Sequence, residues 1–309
     1  MRAADIPMAT PLRVIEIRQE LPLAVQTNLK FVDYFIAHPT GLYFLGSMNP
    51  TADDARSVIL RTDQDGVLKK TIHIGPRQNH GRFFGVDSKG RVYVLLHSEP
   101  TGLRLVVFDQ SGTEFQRIPV LGVSGVADMT LVNDVPVLVT SEGLVASLSG
   151  SSWTPVMRVG PARVFHIRPV TGTRFAVVKA IEAEITIGDL EGGVVRTALL
   201  DAPEVQAARA GCAECGHPGA VLLDSLANSP IGSLYISILC HPLAEGAVVL
   251  KLDGQGNVQE SLRFAIPTYA EYKTAANPAG YMPGGYIGAT EGEFFIVSPR
   301  ASLAVYSGR

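Results

Sequence analysis

Short apolar runs separated by turn residues recur along the chain, and the stretch 83–120 shows the pattern most clearly. Four runs rich in Val, Leu, Phe and Tyr are separated here by three turn signals. The turn signals are Asp87–Gly90, Pro100–Gly102 and Asp109–Gly112. Runs of this length are too short for an amphipathic helix and are typical of strands. The stretch therefore predicts one four-stranded antiparallel meander, whose strands we name a, b, c and d in chain order.

The turn between strands c and d recurs six times, and four of the six copies share the spacing Asp-x-x-Gly. The copies are Asp63–Gly66, Asp109–Gly112, Ser147–Gly150, Asp189–Gly192, Asp253–Gly256 and Tyr306–Gly308. An opening Asp or Ser can accept a hydrogen bond from the backbone two residues on, and the Gly supplies a positive φ. Intervals of about 40 to 64 residues are typical of a repeat array.

The turns between strands a and b recur in step with these, so the chain divides into six units. Their boundaries are 27–74, 77–120, 121–159, 161–201, 212–265 and 284–309. The last unit has room for only three strands, whereas the segment 12–23 resembles a d strand in its composition. We expect this segment to complete the sixth unit and to remove an open sheet edge. The prediction is an all-β fold, one six-bladed β-propeller domain over residues 1–309, with two short helices inserted between blades.

Two segments resemble six-bladed propellers of the NHL and SMP-30-like kind. They are FFGVDSKGRVYV at 83–94 and VVFDQSG at 106–112. The resemblance implies a closed ring around a central channel. The SMP-30-like lactonases hold a divalent metal in that channel with carboxylate and amide ligands, but this chain has no clear counterpart of their Glu, Asn, Asn and Asp set.

Composition and charge exclude some classes of partner. The chain has 309 residues, a formal net charge of −3 and 18% charged residues, so it has no basic field that would hold a nucleic acid. No apolar run is long enough to predict membrane insertion. No secretory signal is recognisable at the start. The expected location is the cytoplasm for the chain as written, and the periplasm or the exterior if a leader peptide is missing from it.

Two insertions interrupt the regular spacing, both between a d strand and the next a strand. The pattern Asp201–Glu204 is a capping box, which predicts a helix of about two turns that stops at Gly211. The pattern Thr268–Glu271 predicts a second helix that stops at 277–278. Connections of this kind leave a propeller on one rim, so we expect both insertions on the same face, on either side of blade 5.

Three cysteines and two histidines form the sharpest local signal. They are Cys212, Cys215, His217, Cys240 and His241. The predicted topology brings both groups to one edge of blade 5. Thiolates and imidazole nitrogens are preferred zinc ligands, so a closed tetrahedral site would use the three cysteines and one histidine. Two alternatives remain open: a disulfide from Cys240 to Cys212 or Cys215 in an exported protein, or free thiols that simply pack.

A tyrosine cluster in the second insertion is the other recognition signal. It comprises Tyr269, Tyr272, Tyr281 and Tyr286 together with Met282. Tyrosine and methionine are enriched at recognition surfaces because they offer a large contact area with a polar or adaptable group. These residues are therefore candidates for partner binding. The alternative is that one or two of them fill the space over the centre of the ring.

Scattered polar residues on the expected rim form a third candidate set. They are Asn79, His80, His97, Glu99, Asp128 and His166. A channel of this kind would suit a metal-dependent hydrolase or lactonase, which we keep as the alternative function. Because the sequence contains no recognisable catalytic motif, it favours a non-catalytic binding module. Such a module would use the rim around blades 5 and 6 to contact a protein partner or a larger complex.

Overall fold

The computed structural model describes residues 8–16, 29–48, 56–76, 80–98, 102–214, 223–238, 246–265, 286–297 and 302–307. Their strands form six sheets, five of four strands and one of five. Each sheet is a blade, and the blades follow one another in chain order. The six-bladed, four-stranded antiparallel architecture predicted from the turns is confirmed.

The strands are as follows. Residues 8–16 contain β1 (Met8–Ala9) and β2 (Arg13–Glu16). Blade 1 contains β3 (Leu29–His38), β4 (Gly41–Met48), β5 (Arg56–Thr62) and β6 (Leu68–Pro76). Blade 2 contains β7 (His80–Val86), β8 (Val92–Ser98), β9 (Gly102–Phe108) and β10 (Glu114–Pro119). Blade 3 contains β11 (Val126–Val132), β12 (Val135–Thr140), β13 (Leu144–Ser149) and β14 (Ser152–Arg158). Blade 4 contains β15 (Phe165–Pro169), β16 (Arg174–Lys179), β17 (Glu184–Asp189) and β18 (Gly193–Leu199).

The helix α1 (Pro203–Glu214) connects blade 4 to blade 5. Blade 5 contains β19 (Leu223–Asn228), β20 (Leu234–Ile238), β21 (Gly246–Leu252) and β22 (Val258–Ala265). Blade 6 contains β23 (Tyr286–Ala289), β24 (Glu293–Val297) and β25 (Ser302–Ser307), to which β2 is added.

The a strands of the six blades form the innermost ring. Each a strand contacts the a strand of the next blade, in the order β3, β7, β11, β15, β19, β23 and back to β3. Six clusters of buried side chains fill the spaces between neighbouring blades, one at each interface. The strands read as nearly continuous apolar runs because both faces of each sheet are covered by another blade.

The N-terminal segment closes the ring as the sequence predicts. The strand β2 pairs antiparallel with β25, with Arg13 opposite Val305 and Ile15 opposite Leu303. The rest of the predicted closing strand, 17–23, lies outside the described residues. A further contact was not predicted: β1 pairs parallel with β22, the outer strand of blade 5. Residues 8–16 therefore tie blade 5 to blade 6.

The repeated turn aspartates act as the sequence predicts. The Asp63 carboxylate accepts hydrogen bonds from the backbone N–H groups of Asp65 at 3.1 Å and Val67 at 2.9 Å. The same bond to the second residue on is made by Asp189 and Asp253. Gly66 closes its turn with a φ of +84°. Local side-chain bonds of this kind thus define the blade boundaries in the sequence.

Two details of the predicted helix are wrong. The helix begins at Pro203, and the Ala202 carbonyl accepts its first bonds, from the Val205 and Gln206 N–H groups, whereas Asp201 accepts from the Gln206 side chain. It also runs through Gly211 to Glu214. Its side chains pack between blades 4 and 5, which offsets the penalty of about 1 kcal/mol for a helical glycine. The second predicted helix lies outside the described residues.

Candidate functional site

A cavity of about 440 Å³ occupies one end of the central channel. It lies where the a strands turn into the b strands, and all six inner strands contribute to its lining. The residues at its wall include Tyr34, Phe84, Thr130, Arg168, Leu226 and Ile287, one from each blade. A concave site of this size is large enough for a small ligand. We call this cavity the channel mouth.

Three buried side chains cross the channel at the floor of the mouth. The Arg168 guanidinium lies 3.0 Å from Asp128 Oδ2 and 4.9 Å from the centre of the Tyr34 ring. Arg168 belongs to blade 4 and Tyr34 to blade 1, which are opposite one another in a ring of six. The arginine therefore spans the axis, with an ion pair on one side and a cation–π contact on the other.

The backbone of β11 positions the aspartate. The register between β11 and β12 shifts at 126–128, so a bulge re-aims the Asp128 side chain. Its Oδ1 accepts the backbone N–H of Met129 at 2.7 Å, and its Oδ2 accepts the backbone N–H of Ile167 at 2.9 Å. The carboxylate thus joins blade 3 to blade 4 and holds Arg168 at the same time.

Burial opposes the ionisation of both partners. It raises the pKa of the Asp128 carboxyl and lowers the pKa of the Arg168 guanidinium. Each group supplies the opposite charge that keeps the other ionised, because a guanidinium holds its proton strongly and a carboxylate at 3.0 Å stabilises it further. The two residues therefore form one electrostatic unit.

A second carboxylate lies at the rim of the mouth, on the turn after β11. Asn133 and Asp134 have φ angles of +50° and +64°, typical of a tight hairpin turn. The Ser88 backbone N–H donates to Asp134 Oδ1 at 2.7 Å, and the Ser88 hydroxyl donates to Oδ2. Burial pulls the pKa of Asp134 upward, but the Ser88 donors outweigh it and hold that pKa below its ordinary value. The rim is negatively charged at neutral pH.

A neutral histidine lies beside this carboxylate. His38 Nδ1 accepts the Thr40 backbone N–H at 3.2 Å and lies 2.8 Å from the Thr40 hydroxyl, which assigns the ring proton to Nε2. Burial lowers the pKa of His38 from 6.5. The Ser88 hydroxyl donates to Asp134 and not to this imidazole, so the hydroxyl within hydrogen-bond distance of His38 is that of Thr40. The arrangement can bind polar groups.

The structure places only part of the residues singled out in the sequence. Cys212 lies in the last turn of α1, and Tyr286 is the first residue of β23, opposite Val297. The other candidates for zinc and partner binding lie outside the described residues: Cys215, His217, Cys240, His241, Tyr269, Tyr272, Tyr281 and Met282. Their roles stay predictions.

The structure corrects part of the prediction for the polar residues that were expected on the rim. Asp128 was expected on the rim, but it is 1% exposed and lies deep in the channel. His166 also belongs to the inner strand β15, where it is half-buried and its Nε2 lies 3.3 Å from the Leu223 carbonyl of blade 5. His80 and His97 lie on β7 and β8, whereas Asn79 and Glu99 are outside the described residues. No group of three His, Cys, Asp or Glu side chains that could hold a metal occurs within the described part of the chain.

The sequence did not predict a role for Arg168, Tyr34, His38 or Asp134. One signal was available for Arg168, because it is a charged residue within the apolar strand FHIRP. A charge inside a predicted inner strand needs a partner, and Asp128 in the preceding blade was the matching candidate. The sequence offers no signal for the contact with Tyr34.

Comparisons with known proteins support the fold. No protein-family model and no curated protein matches the chain. Among the described residues, no helix is long and apolar enough to span a membrane. Solved structures match nearly the whole chain. The structure of YCF48 bound to D1 peptide is 11% identical over 99% of this chain and 98% of that chain, with a TM-score of 0.53.

Two lyase structures match similarly. A streptogramin B lyase is 8% identical over 96% of this chain and 98% of its own, with a TM-score of 0.53. A catalytically inactive virginiamycin B lyase from Staphylococcus aureus with quinupristin is 9% identical over 96% of this chain and 99% of its own, with a TM-score of 0.51. At these identities the likeness shows the fold alone. Membership of the NHL or SMP-30-like families stays a prediction, and what the comparisons establish is that this chain is similar to β-propellers.

Proposed function

We propose that this chain is a non-catalytic binding module that holds a protein partner on the rim around blades 5 and 6. The tyrosine-rich segment between β22 and β23 supplies the contact residues. The proposal rests on the way in which the two blades that flank this segment pack against each other. They form an aromatic base, which the N-terminal strands tie together.

The interface between blades 5 and 6 contains a chain of aromatic contacts. The rings of Phe264 and Phe294 stack with their centres 4.6 Å apart. Tyr306 lies 4.7 Å from Phe264, and Tyr235 lies 5.1 Å from Phe294, both measured between ring centres. Such contacts add to the hydrophobic stabilisation of the interface. The two blades thus form a rigid support for whatever they present.

Two further contacts fix the end of β22, from which the segment departs. The Tyr306 hydroxyl of blade 6 donates to the Ala265 carbonyl, which is the last residue of β22. The strand β1 covers the edge of β22 beside it, with Met8 opposite Arg263 and Ala9 opposite Phe264. The inserted segment therefore begins at a well-supported residue. Fixing the point from which a binding segment departs reduces the entropy lost when a partner binds.

The channel supports the non-catalytic part of the proposal. Both oxygens of Asp128 accept hydrogen bonds, so this carboxylate is engaged in joining blades. The Ser88 hydroxyl is bound to Asp134. Among the solved structures similar in fold, YCF48 holds a D1 peptide, which supports peptide or protein binding as a use of this architecture.

The test compares association of the parent with that of Tyr272→Ala combined with Tyr281→Ala. A tagged parent chain should capture a specific partner from its native extract, and the double variant should lose most of that partner. The matched control is Phe115→Ala, which removes an exposed ring from the outer strand of blade 2. Unchanged capture by the tyrosine variant, or equal loss by the control, would refute this surface.

The cysteine cluster is predicted at the same rim. Val205 and Ala208 of α1 pack between blades 4 and 5, and Cys212 follows in the last turn of the helix. Zinc held by Cys212, Cys215 and Cys240 with one histidine would fasten this helix to blade 5. We expect about one zinc per chain in elemental analysis and its loss in Cys215→Ser. A fully folded, zinc-free parent would remove the metal site from the proposal.

A further inference from the structure

We propose that the channel mouth binds a small carboxylate, with the Arg168 guanidinium as its counter-charge. This site is separate from the surface proposed for the protein partner. The segment 266–285 follows β22 and leads into the start of the a strand β23, whereas the mouth lies where the a strands end. The mouth therefore lies at the opposite end of β23 from the point where this segment attaches.

The charges of the mouth are arranged along its axis. Arg168 and Thr130 line the cavity, whereas Asp128 lies behind the arginine and does not. The floor therefore presents a cation to the cavity. Asp134 lies at the rim, where water reaches it. An anionic group that enters the mouth passes the rim and meets its counter-charge at the bottom.

The guanidinium has donors left for a ligand. Its Nη1 contacts Asp128 Oδ2 and the Ile167 carbonyl. A guanidinium carries five N–H donors in a planar fork that suits a carboxylate. The Arg168 side chain keeps 10% of its surface exposed, and the cavity is the space that it lines. The tyrosine and aspartate contacts fix its orientation, so little entropy is lost when a ligand binds.

The residues around Arg168 favour a ligand that has one negative charge and polar groups next to it. The buried Thr130 hydroxyl and the half-buried Asn228 amide line the same cavity, and both can bond to an amide or hydroxyl of the ligand. The Asp134 carboxylate at the rim disfavours a ligand with several negative charges. Among the described residues that line the cavity, Arg168 is the only arginine or lysine. A monocarboxylate of modest size, with hydrogen-bonding groups, matches this set.

The test uses two probes of similar size, N-acetylglycine and N-acetylglycinamide, which carry a carboxylate and a neutral carboxamide at the same position. Hydrogen bonds to charged groups are stronger than neutral ones, so the parent should bind the carboxylate about tenfold more tightly than the amide. Side-chain ¹⁵N NMR measures this directly, with the Arg168 Nε–H resonance assigned from Arg168→Lys. The carboxylate should shift that resonance, and the amide should not.

Two variants locate the effect. Asp128→Asn combined with Arg168→Gln replaces the ion pair by a neutral pair and should abolish the preference for the carboxylate. Asp134→Asn removes the rim charge and should keep the preference, because the counter-charge at the floor is intact. Thermal unfolding of each variant establishes that it is folded. If the double variant does not fold, the NMR titration of the parent decides alone.

Equal affinity of the parent for the two probes would overturn the proposal. So would the absence of any shift of the Arg168 resonance with N-acetylglycine, acetate and succinate. Loss of the preference in Asp134→Asn would also overturn it, because the rim and not the floor would then recognise the charge.

Discussion

Blades 3 and 5 make the same connection to the next blade with different side chains. In blade 3, Asp128 at a bulge of β11 accepts the Ile167 N–H of blade 4 at 2.9 Å. In blade 5, Ser225 at the corresponding bulge of β19 accepts the Ile287 N–H of blade 6 at 3.3 Å. A hydroxyl is thus sufficient to join two blades. The carboxylate does more, because it also holds a buried arginine against the opposite side of the channel.

A third connection lies between these two. The His166 Nε2 of blade 4 faces the Leu223 carbonyl of blade 5 at 3.3 Å. Three successive pairs of neighbouring blades are therefore joined by a carboxylate, an imidazole and a hydroxyl, in that order. Because these groups differ in charge and in whether they ionise, the three connections should respond differently to mutation and to pH.

The largest effect is expected for Asp128→Asn. The variant keeps an acceptor for the Ile167 N–H but leaves the Arg168 cation buried without a counter-charge. Breaking one partner of a buried ion pair typically lowers the free energy of unfolding by about 3 to 5 kcal/mol. Urea denaturation of parent and variant at neutral pH measures the loss. A loss as small as that expected at Ser225 would remove the distinction between the two connections.

The second largest effect is expected at the connection made by His166, which should weaken as the pH falls. Burial lowers the pKa of His166 from 6.5 to about 4. The unfolded chain therefore binds this proton more readily, so the contribution of the neutral imidazole is present above pH 6.5 and is lost as the pH falls towards 4.

In denaturation experiments the parent should lose up to about 2 kcal/mol more stability than His166→Gln between about pH 7.5 and about pH 5, since the half-buried ring is partly screened by water. The glutamine keeps an N–H donor and does not titrate, which makes it the matched control. An identical pH dependence of parent and variant would contradict the burial of a neutral histidine at this position.

The smallest effect is expected for Ser225→Ala. The substitution removes the acceptor of the Ile287 N–H without leaving a buried charge, so the loss in the free energy of unfolding should be about 1 kcal/mol. The loss should not change with ionic strength, because no charge is involved. A loss similar to that of Asp128→Asn would show that the hydrogen bond, and not the ion pair, dominates both connections.

Most of the fold was predictable because it is encoded locally. Each Asp-x-x-Gly turn folds on itself through its own carboxylate, as Asp63 and Asp253 show, so the blade boundaries can be located from single turns. The closing strand was predictable because the last unit of the sequence has room for only three of its four strands. The parallel pairing of β1 with β22 was not predictable, because a strand of two residues is too short to show a periodic pattern in the sequence.

The channel mouth was largely hidden from the sequence. Asp128 and Arg168 are 40 residues apart, and only the ring brings their strands together. The contact of Arg168 with Tyr34 depends on blades 1 and 4 being opposite, which requires the number of blades and their order. The helix end was mispredicted at Gly211 for a related reason, since packing between blades outweighed the local preference of glycine.

A double-mutant cycle on Asp128 and Arg168 tests most directly whether these residues form one electrostatic unit across the channel. The free energy of unfolding is measured for the parent, Asp128→Asn, Arg168→Met and the double variant. If they do, the double variant is more stable than Asp128→Asn alone, with a coupling energy of about 2 kcal/mol. Additive losses, with a coupling below about 0.5 kcal/mol, would contradict it.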